Sequence, residues 1–254
     1  MEFTTIEQIL NRENEMAITA QARYGKYYET ALQCSLFMTH FLKFIGVDRW
    51  VFASFLSQVK KHHTLALFSV VRLHQIQAMM NLRQALEAGT CAAFAIAHTD
   101  HSHFVDTDEY GILDAPQSLA GKRYKWLEEN FPNNSNLIKE IKKQINAATA
   151  HSNLIYAHNN FQMDEEHNRI STPFFDTEDE HHVKTYLWSL GNVAIILMDL
   201  FHKVNETRNV IVFADDFLPR FNALAKKNNA LKAEMTSSDR YKQAVEKEKL
   251  HKGK

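Results

Sequence analysis

Apolar positions recur at helical spacing along most of the chain. Residues 65–98 carry apolar side chains on nearly every side and contain no proline, which predicts a central helix packed all round. Residues 180–206 predict a second strongly apolar helix. Residues 4–45 predict one or two helices with an interruption at Gly25, and Asp48 is placed to cap the next helical run.

The remaining segments separate helices from a few irregular stretches. The pattern breaks into a polar loop over residues 98–121, and a new helix is expected to open at Ser135. Residues 159–173 alternate weakly and predict a small β-hairpin. The chain is therefore predicted to be all-α: a single helical bundle of about six to eight helices with at most one small hairpin. We expect residues 1–235 to form the bundle domain and residues 236–254 a charged, solvated C-terminal helix or tail.

Composition supports long helices. The 254 residues include only 7 Gly and 4 Pro, where average usage gives about 18 and 13. The formal net charge is −1, so the overall charge of the protein neither favours nor disfavours binding to nucleic acid. The two cysteines exclude a disulfide framework and are expected to be packed among apolar residues. The charged N-terminal segment does not resemble a signal peptide, and no long uncharged apolar run predicts a membrane span, so we expect a cytoplasmic protein.

The first candidate site is a group of charges on the predicted central helix. Arg83 and Glu87 are four residues apart and can pair, and with Arg72 and His98 they fall within one arc of about 80°. Charges on an otherwise apolar helix must be paired or line a cavity. The group is therefore either a structural ion pair between helices or part of a functional site.

The second candidate is a pair of histidines in the segment AHSNLIYAH. His151 and His158 are seven residues apart, two helical turns, so both project from the same side. They lie at the edge of the apolar stripe that includes Ile155. Such positions suit residues that line a cleft, and they equally suit ordinary boundary histidines.

The third candidate is a histidine-rich segment that could hold a divalent metal. His98, His101 and His103, with His151 as a further ligand, carry imidazoles that bind zinc, iron or nickel. The sequence has no HExxH and no CxxC. A polar loop is the alternative interpretation. Lys60, Lys61, His62 and His63 form a small basic patch, too short to indicate nucleic acid by itself.

The segments NLRQALEAG and AHSNLIYAH, followed by a long apolar helix, resemble those of HEPN-like helical proteins of abortive-infection and toxin-related families. In such proteins an arginine and a glutamate on one helix face a serine and a histidine on another. The resemblance covers about residues 65–205 and implies catalytic roles for Arg83, Glu87, Ser152 and His158. The sequence departs from HEPN ribonucleases because no arginine stands four to six residues before a histidine. In those enzymes that arginine stabilises charge at the scissile phosphate.

Three functional hypotheses follow, and the sequence does not decide whether the protein is an enzyme. The first is an RNA- or nucleotide-directed protein of defence or toxin type, with His158 as general acid–base and Arg83 stabilising charge. The second is a non-catalytic interaction module that forms a homodimer through apolar helix faces. The third is a metal-dependent helical-bundle enzyme that uses the histidines named above.

Overall fold

A computed structural model describes residues 5–107, 110–111, 113–114, 117–149, 161–243 and 246. Helices dominate these residues, as the sequence predicts. The elements in chain order are α1 (Ile6–Tyr24), α2 (Lys26–His40), β1 (Leu42–Ile45), a 3₁₀ turn (Val47–Arg49), α3 (Trp50–Val71), α4 (Gln75–Ala97), a second 3₁₀ turn (His101–His103), β2 (Asp106–Thr107), β3 (Leu113–Asp114), α5 (Gln117–Asn130), α6 (Pro132–Thr149), β4 (Gln162–Asp164), β5 (Arg169–Ser171), α7 (Glu180–Arg208), β6 (Ile211–Phe213) and α8 (Phe217–Ser237).

The core forms where α4 and α7 cross between the other helices. α3 packs along α4, and α7 packs on both α2 and α4. Leu82 and Leu86 of α4 and Leu187 and Leu197 of α7 are fully buried. Gly89 lets α4 approach α7 closely, because a β-carbon at this position would lie 2.8 Å from Cδ1 of Leu197. The all-α bundle predicted from the sequence is confirmed.

The predicted single helix over residues 65–98 is two helices, α3 and α4, joined by a tight turn. Leu73 in this turn has a positive φ of 59°. Asp176 stabilises the turn, since its backbone N–H donates to Leu73 O at 2.9 Å and its carboxylate accepts from Gln75 N at 2.5 Å. No glycine or proline marks the break, so the periodicity runs through it. As a result Arg72 does not share a helix with Arg83.

The N-terminal helices follow the prediction with local differences. Gly25, at a φ of 52°, separates α1 from α2. Thr5 caps α1 in a capping box with Gln8. Residues 42–45 form β1 instead of continuing the helix, and α3 begins at Trp50, so Asp48 does not cap it.

Three two-stranded antiparallel pairs accompany the helices in the described residues. β4 and β5 form the predicted hairpin, with Met163 opposite Ile170. The pairs β1–β6 and β2–β3 are additional to it. β1 and β6 are far apart in sequence, so only the packing of the helices around them brings the two strands together.

The helices in the second half of the chain match the prediction closely. α6 begins at Pro132, a favoured first helical residue, three residues before the predicted opening at Ser135. Asp179 caps α7 by accepting from the backbone N–H of His181 at 3.0 Å. α7 is long and apolar enough to cross a membrane, but 61% of its most apolar window is buried inside the bundle. Burial of this kind also fits the core helix of a globular domain.

Candidate functional site

A cleft of about 270 Å³ opens where α3, α4, α5 and α6 meet. We call it the α3–α6 cleft. All four helices contribute lining residues, most of them from α4 and α5. Its lining residues are Phe55, Gln58, Gln84, Glu87, Ala88, Thr90, Cys91, Ala120, Arg123, Tyr124 and Lys142.

Among the described lining residues Glu87 is the one carboxylate, and it is held between two cations. Arg83 Nε donates to Glu87 Oε1 at 3.1 Å, across one turn of α4. Lys142 Nζ, from α6, lies 3.2 Å from the same oxygen. Glu87 is two-thirds buried, and burial acts to raise the pKa of its carboxyl. The charges and hydrogen bonds of Lys142 and Arg83 outweigh burial and lower that pKa, so Glu87 is ionised at neutral pH.

Lys142 also contacts an aromatic side chain on α5. Its Nζ donates to the Tyr124 hydroxyl oxygen at 2.6 Å and lies 4.5 Å from the centre of the Tyr124 ring. The Lys142 side chain is only 20% exposed. These contacts fix the ammonium group at the wall of the cleft, where it faces both Glu87 and the opening.

Arg123 supplies the second cation of the lining. Its guanidinium lies 5.7 Å from the centre of the Phe104 ring, and its side chain lines the cleft together with Cys91. Burial raises the pKa of the Cys91 thiol, although Arg123 acts in the opposite direction. Cys91 is therefore a neutral thiol at neutral pH and not an activated nucleophile.

The charge balance of the described residues in the α3–α6 cleft is positive. Arg123 and Lys142 face one carboxylate, Glu87, and the charge of Arg83 is added from just outside the lining. The walls also carry the amides of Gln58 and Gln84. A small opening with excess positive charge and partly buried cations attracts anions.

The four residues predicted to share one arc of the central helix do not come together. Arg83 and Glu87 pair as described, but Arg72 lies in the turn before α4, with its NH1 3.8 Å from Oε2 of Glu13. His98 follows the last residue of α4 and stacks on Phe94 at a centroid distance of 4.3 Å. Ser152, His158 and His151 lie outside the described residues, so their predicted roles stay predictions.

The histidines predicted to bind a metal are spread along the end of α4 and the 3₁₀ turn after it. The rings of His98 and His103 are 5.0 Å apart, whereas His101 is exposed and lies beside Asp100. In the part of the chain that the structure describes, no three His, Cys, Asp or Glu side chains are grouped closely enough to hold a metal ion. A site that includes His151 stays a prediction.

The predicted basic patch at residues 60–63 is not a continuous surface. His63 is fully buried: its Nε2 donates to Leu190 O at 2.9 Å, and its Nδ1 lies 3.2 Å from the Ser35 hydroxyl. Lys60 donates to Thr39 O at 3.1 Å. These contacts join α3 to α2 and α7, so this segment serves the packing of the bundle.

Sequence reasoning identified one side of the α3–α6 cleft and missed the other. Arg123, Tyr124 and Lys142 appear in the sequence as ordinary polar positions of two amphipathic helices. Cys91 was expected to be packed away because its sequence neighbours are uncharged. Arg123, which is remote in sequence, changes its surroundings. Only the packing of α5 and α6 against α4 reveals these four residues as one group.

Comparisons with family models, with curated protein sequences and with solved structures found no match to this chain.

Proposed function

We propose that the protein is RNA- or nucleotide-directed and binds a phosphate group of its ligand in the α3–α6 cleft. One observation carries the proposal: Arg123 and Lys142, from two different helices, line one small opening whose described lining holds a single carboxylate. Arginine pairs with phosphate through two parallel N–H donors, and lysine supplies a compact charge. The volume of about 270 Å³ suits one phosphate with part of its sugar, not a duplex.

The proposal changes the role expected of Arg83 in a HEPN-like protein. The guanidinium of Arg83 is engaged by Glu87, so its first effect is to orient that carboxylate. Lys142 also pairs with Glu87, but Lys142 and Arg123 line the α3–α6 cleft and Arg83 does not, so we assign the charge-stabilising role to Arg123 and Lys142. Glu87 is ionised, so its carboxylate can accept a hydrogen bond from a ribose hydroxyl of the ligand. If the protein also cleaves RNA, His158 remains the proposed general acid–base and Ser152 its neighbour.

The proposal is tested by measuring the binding of a short, fluorescently labelled single-stranded RNA by fluorescence polarisation. Arg123→Gln and Lys142→Gln should each weaken binding about tenfold, a typical effect for one charge-assisted contact. Each variant should also reduce the slope of log affinity against log salt by about 0.7. Adenosine monophosphate should compete with the RNA for the wild-type protein.

Lys143→Gln is the matched control, because Lys143 is exposed on the same helix as Lys142 but does not line the cleft. Its affinity for RNA should stay within about twofold of wild type. Equal losses in the Lys142 and Lys143 variants would mean that binding depends on overall charge and not on the cleft. The absence of any RNA or nucleotide binding would refute the proposal.

Self-association is a second candidate function, because one surface exposes large apolar side chains. On the solvent face of the β1–β6 pair, Phe44 lies opposite Val212, and the two are 63% and 48% exposed. Val47 and Trp50, which follow β1, are 95% and 58% exposed. Contiguous exposed apolar surface often marks a protein interface. Sedimentation of wild type and of Phe44→Ser should show a dimer only for wild type; a wild-type monomer at micromolar concentration would reject this candidate.

A further inference from the structure

A second cavity, of about 410 Å³, lies on the other flank of α5, where α5 approaches the ends of α4 and α7. We call it the α5–α7 cavity. Its apolar wall consists of Ala97, Trp126, Phe131 and Val204, and its polar edge of Asn130, Thr207 and Arg208. None of these residues lines the α3–α6 cleft. The volume falls within the range of about 300–1,000 Å³ that small-molecule sites occupy.

The apolar wall of the α5–α7 cavity is fixed by aromatic contacts. Phe94 meets the Trp126 ring edge to face, with centroids 5.2 Å apart and planes at 88°. Phe131 and His98 lie 5.6 Å and 5.8 Å from the same ring. Edge-to-face pairs of this kind stabilise a defined ring orientation. A flat apolar ligand would therefore meet a preformed surface and would not have to order it.

Among the described residues of the polar edge, Arg208 is the charged one. The Asn130 amide donates to Trp126 O at 2.8 Å, and the Thr207 hydroxyl donates to Val204 O at 2.8 Å, so both are engaged within their own helices. Arg208 is an exposed cation in the last turn of α7. Within residues 5–107, 117–149 and 161–243, no carboxylate lies within ion-pair distance of its guanidinium.

Among the described residues that line the cavity, Arg208 carries the only formal charge. Burial of the neighbouring His98, together with the charges of His103 and Arg208, lowers the pKa of its imidazole. His98 is therefore neutral at neutral pH and adds no second cation. One guanidinium beside a flat apolar wall suits a ligand that carries one planar anionic group on an apolar body.

We propose that the α5–α7 cavity binds a small aromatic monocarboxylate. The carboxylate pairs with the two parallel N–H groups of Arg208, and the ring lies against Trp126 and Phe131. This site is separate from the phosphate site proposed above and does not depend on it. The proposed site depends on Trp126 and Arg208, for which the sequence pattern predicts no function.

Titration of the whole chain with 1-naphthoate, followed by calorimetry and by tryptophan fluorescence, tests this inference. We expect saturable binding with one ligand per chain. Arg208→Gln should weaken binding at least tenfold, and the neutral isostere 1-naphthamide should bind wild type as weakly as 1-naphthoate binds Arg208→Gln. Trp126→Phe should keep binding within about threefold but lose most of the fluorescence change, because Trp50 and Trp188 lie elsewhere.

Arg12→Gln is the control, since Arg12 is an exposed arginine on α1 that already pairs with Glu15 at 2.7 Å. Its affinity for 1-naphthoate should equal that of wild type. Lys142→Gln should also leave 1-naphthoate binding unchanged, which separates this site from the α3–α6 cleft. No saturable binding, or equal affinity in wild type and Arg208→Gln, would overturn the proposal.

Discussion

Gly89→Ala probes the close approach of α4 and α7 at the centre of the bundle. A β-carbon at residue 89 would lie 2.8 Å from Cδ1 and 3.1 Å from Cγ of Leu197, and closer still to Cδ2. Leu197 is fully buried, so its side chain has little room to turn away. The substitution must therefore displace Leu197 or separate the two helices.

The expected magnitude follows from two opposing effects. Overpacking a core of this density costs about 1–3 kcal/mol. Replacing a helical glycine by alanine contributes about 0.5–1 kcal/mol in the stabilising direction. Gly89→Ala should therefore destabilise the protein by about 1 kcal/mol, within a range of about 0–2.5 kcal/mol, which corresponds to a fall in Tm of a few degrees.

Urea unfolding followed by circular dichroism measures this change, and Gly121→Ala is the matched control. Gly121 is a helical glycine in α5 whose added β-carbon would meet no atom within 4 Å. That variant should be stabilised by about 0.5–1 kcal/mol, because only the helix-propensity effect remains.

A double-mutant cycle identifies the clash directly. Leu197→Ala alone should cost about 2–5 kcal/mol through the cavity it leaves. In Gly89→Ala/Leu197→Ala the new methyl group occupies part of that cavity, so the double variant should be more stable than the sum of the singles by at least about 1 kcal/mol. Additive effects, or a stabilised Gly89→Ala, would refute the close approach of the two helices.

Three further predictions concern buried or paired polar groups. His63 is neutral in the fold because burial lowers the pKa of its imidazole, so the unfolded chain binds the proton more tightly. The free energy of unfolding should therefore fall as the pH drops below about 6.5. Urea titrations from pH 7 to 5 should show a smaller pH dependence of this free energy in His63→Gln than in wild type. Asn205 is 7% exposed and its Oδ1 accepts from Val210 N and Ile211 N at 2.8 and 3.0 Å, so Asn205→Ala should cost about 2–4 kcal/mol in urea unfolding, and a loss under 1 kcal/mol would contradict this account. Asp179 pairs with Arg240 and caps α7, and these contacts lower the pKa of its carboxyl to about 2. The stability that the ionised carboxylate contributes is present above about pH 4 and is lost toward pH 2. Thermal melts over this pH range should show that Asp179→Ala has lost this part of the acid destabilisation.

Helix positions could be predicted from the sequence where local signals were strong. The apolar pattern of α7 was sufficient to predict this helix, because a 3.6-residue period is a local property of the sequence. The break between α3 and α4 could not be predicted, because Leu73 adopts a positive φ without a glycine. The hydrogen bonds of Asp176, about a hundred residues further along the chain, stabilise that conformation.

The candidate site likewise has one part that the sequence predicts and one part that it does not. The pairing of Arg83 with Glu87 depends on a spacing of four residues within one helix, which the sequence displays. Lys142 and Arg123 join this pair only through the packing of α5 and α6, and no spacing in the sequence encodes that contact. His63 shows the opposite error, because a histidine that follows two lysines closely in sequence is turned into the core by the helical period.

The most direct test of the central proposal is to locate a bound nucleotide on the protein by NMR. Adenosine monophosphate added to labelled protein should shift the amide signals of Thr90, Cys91 and Tyr124, which lie around the α3–α6 cleft. In Lys142→Gln the same shifts should need about tenfold more nucleotide. Shifts confined to other parts of the bundle, or no shifts at millimolar nucleotide, would contradict the assignment of this cleft as a phosphate site.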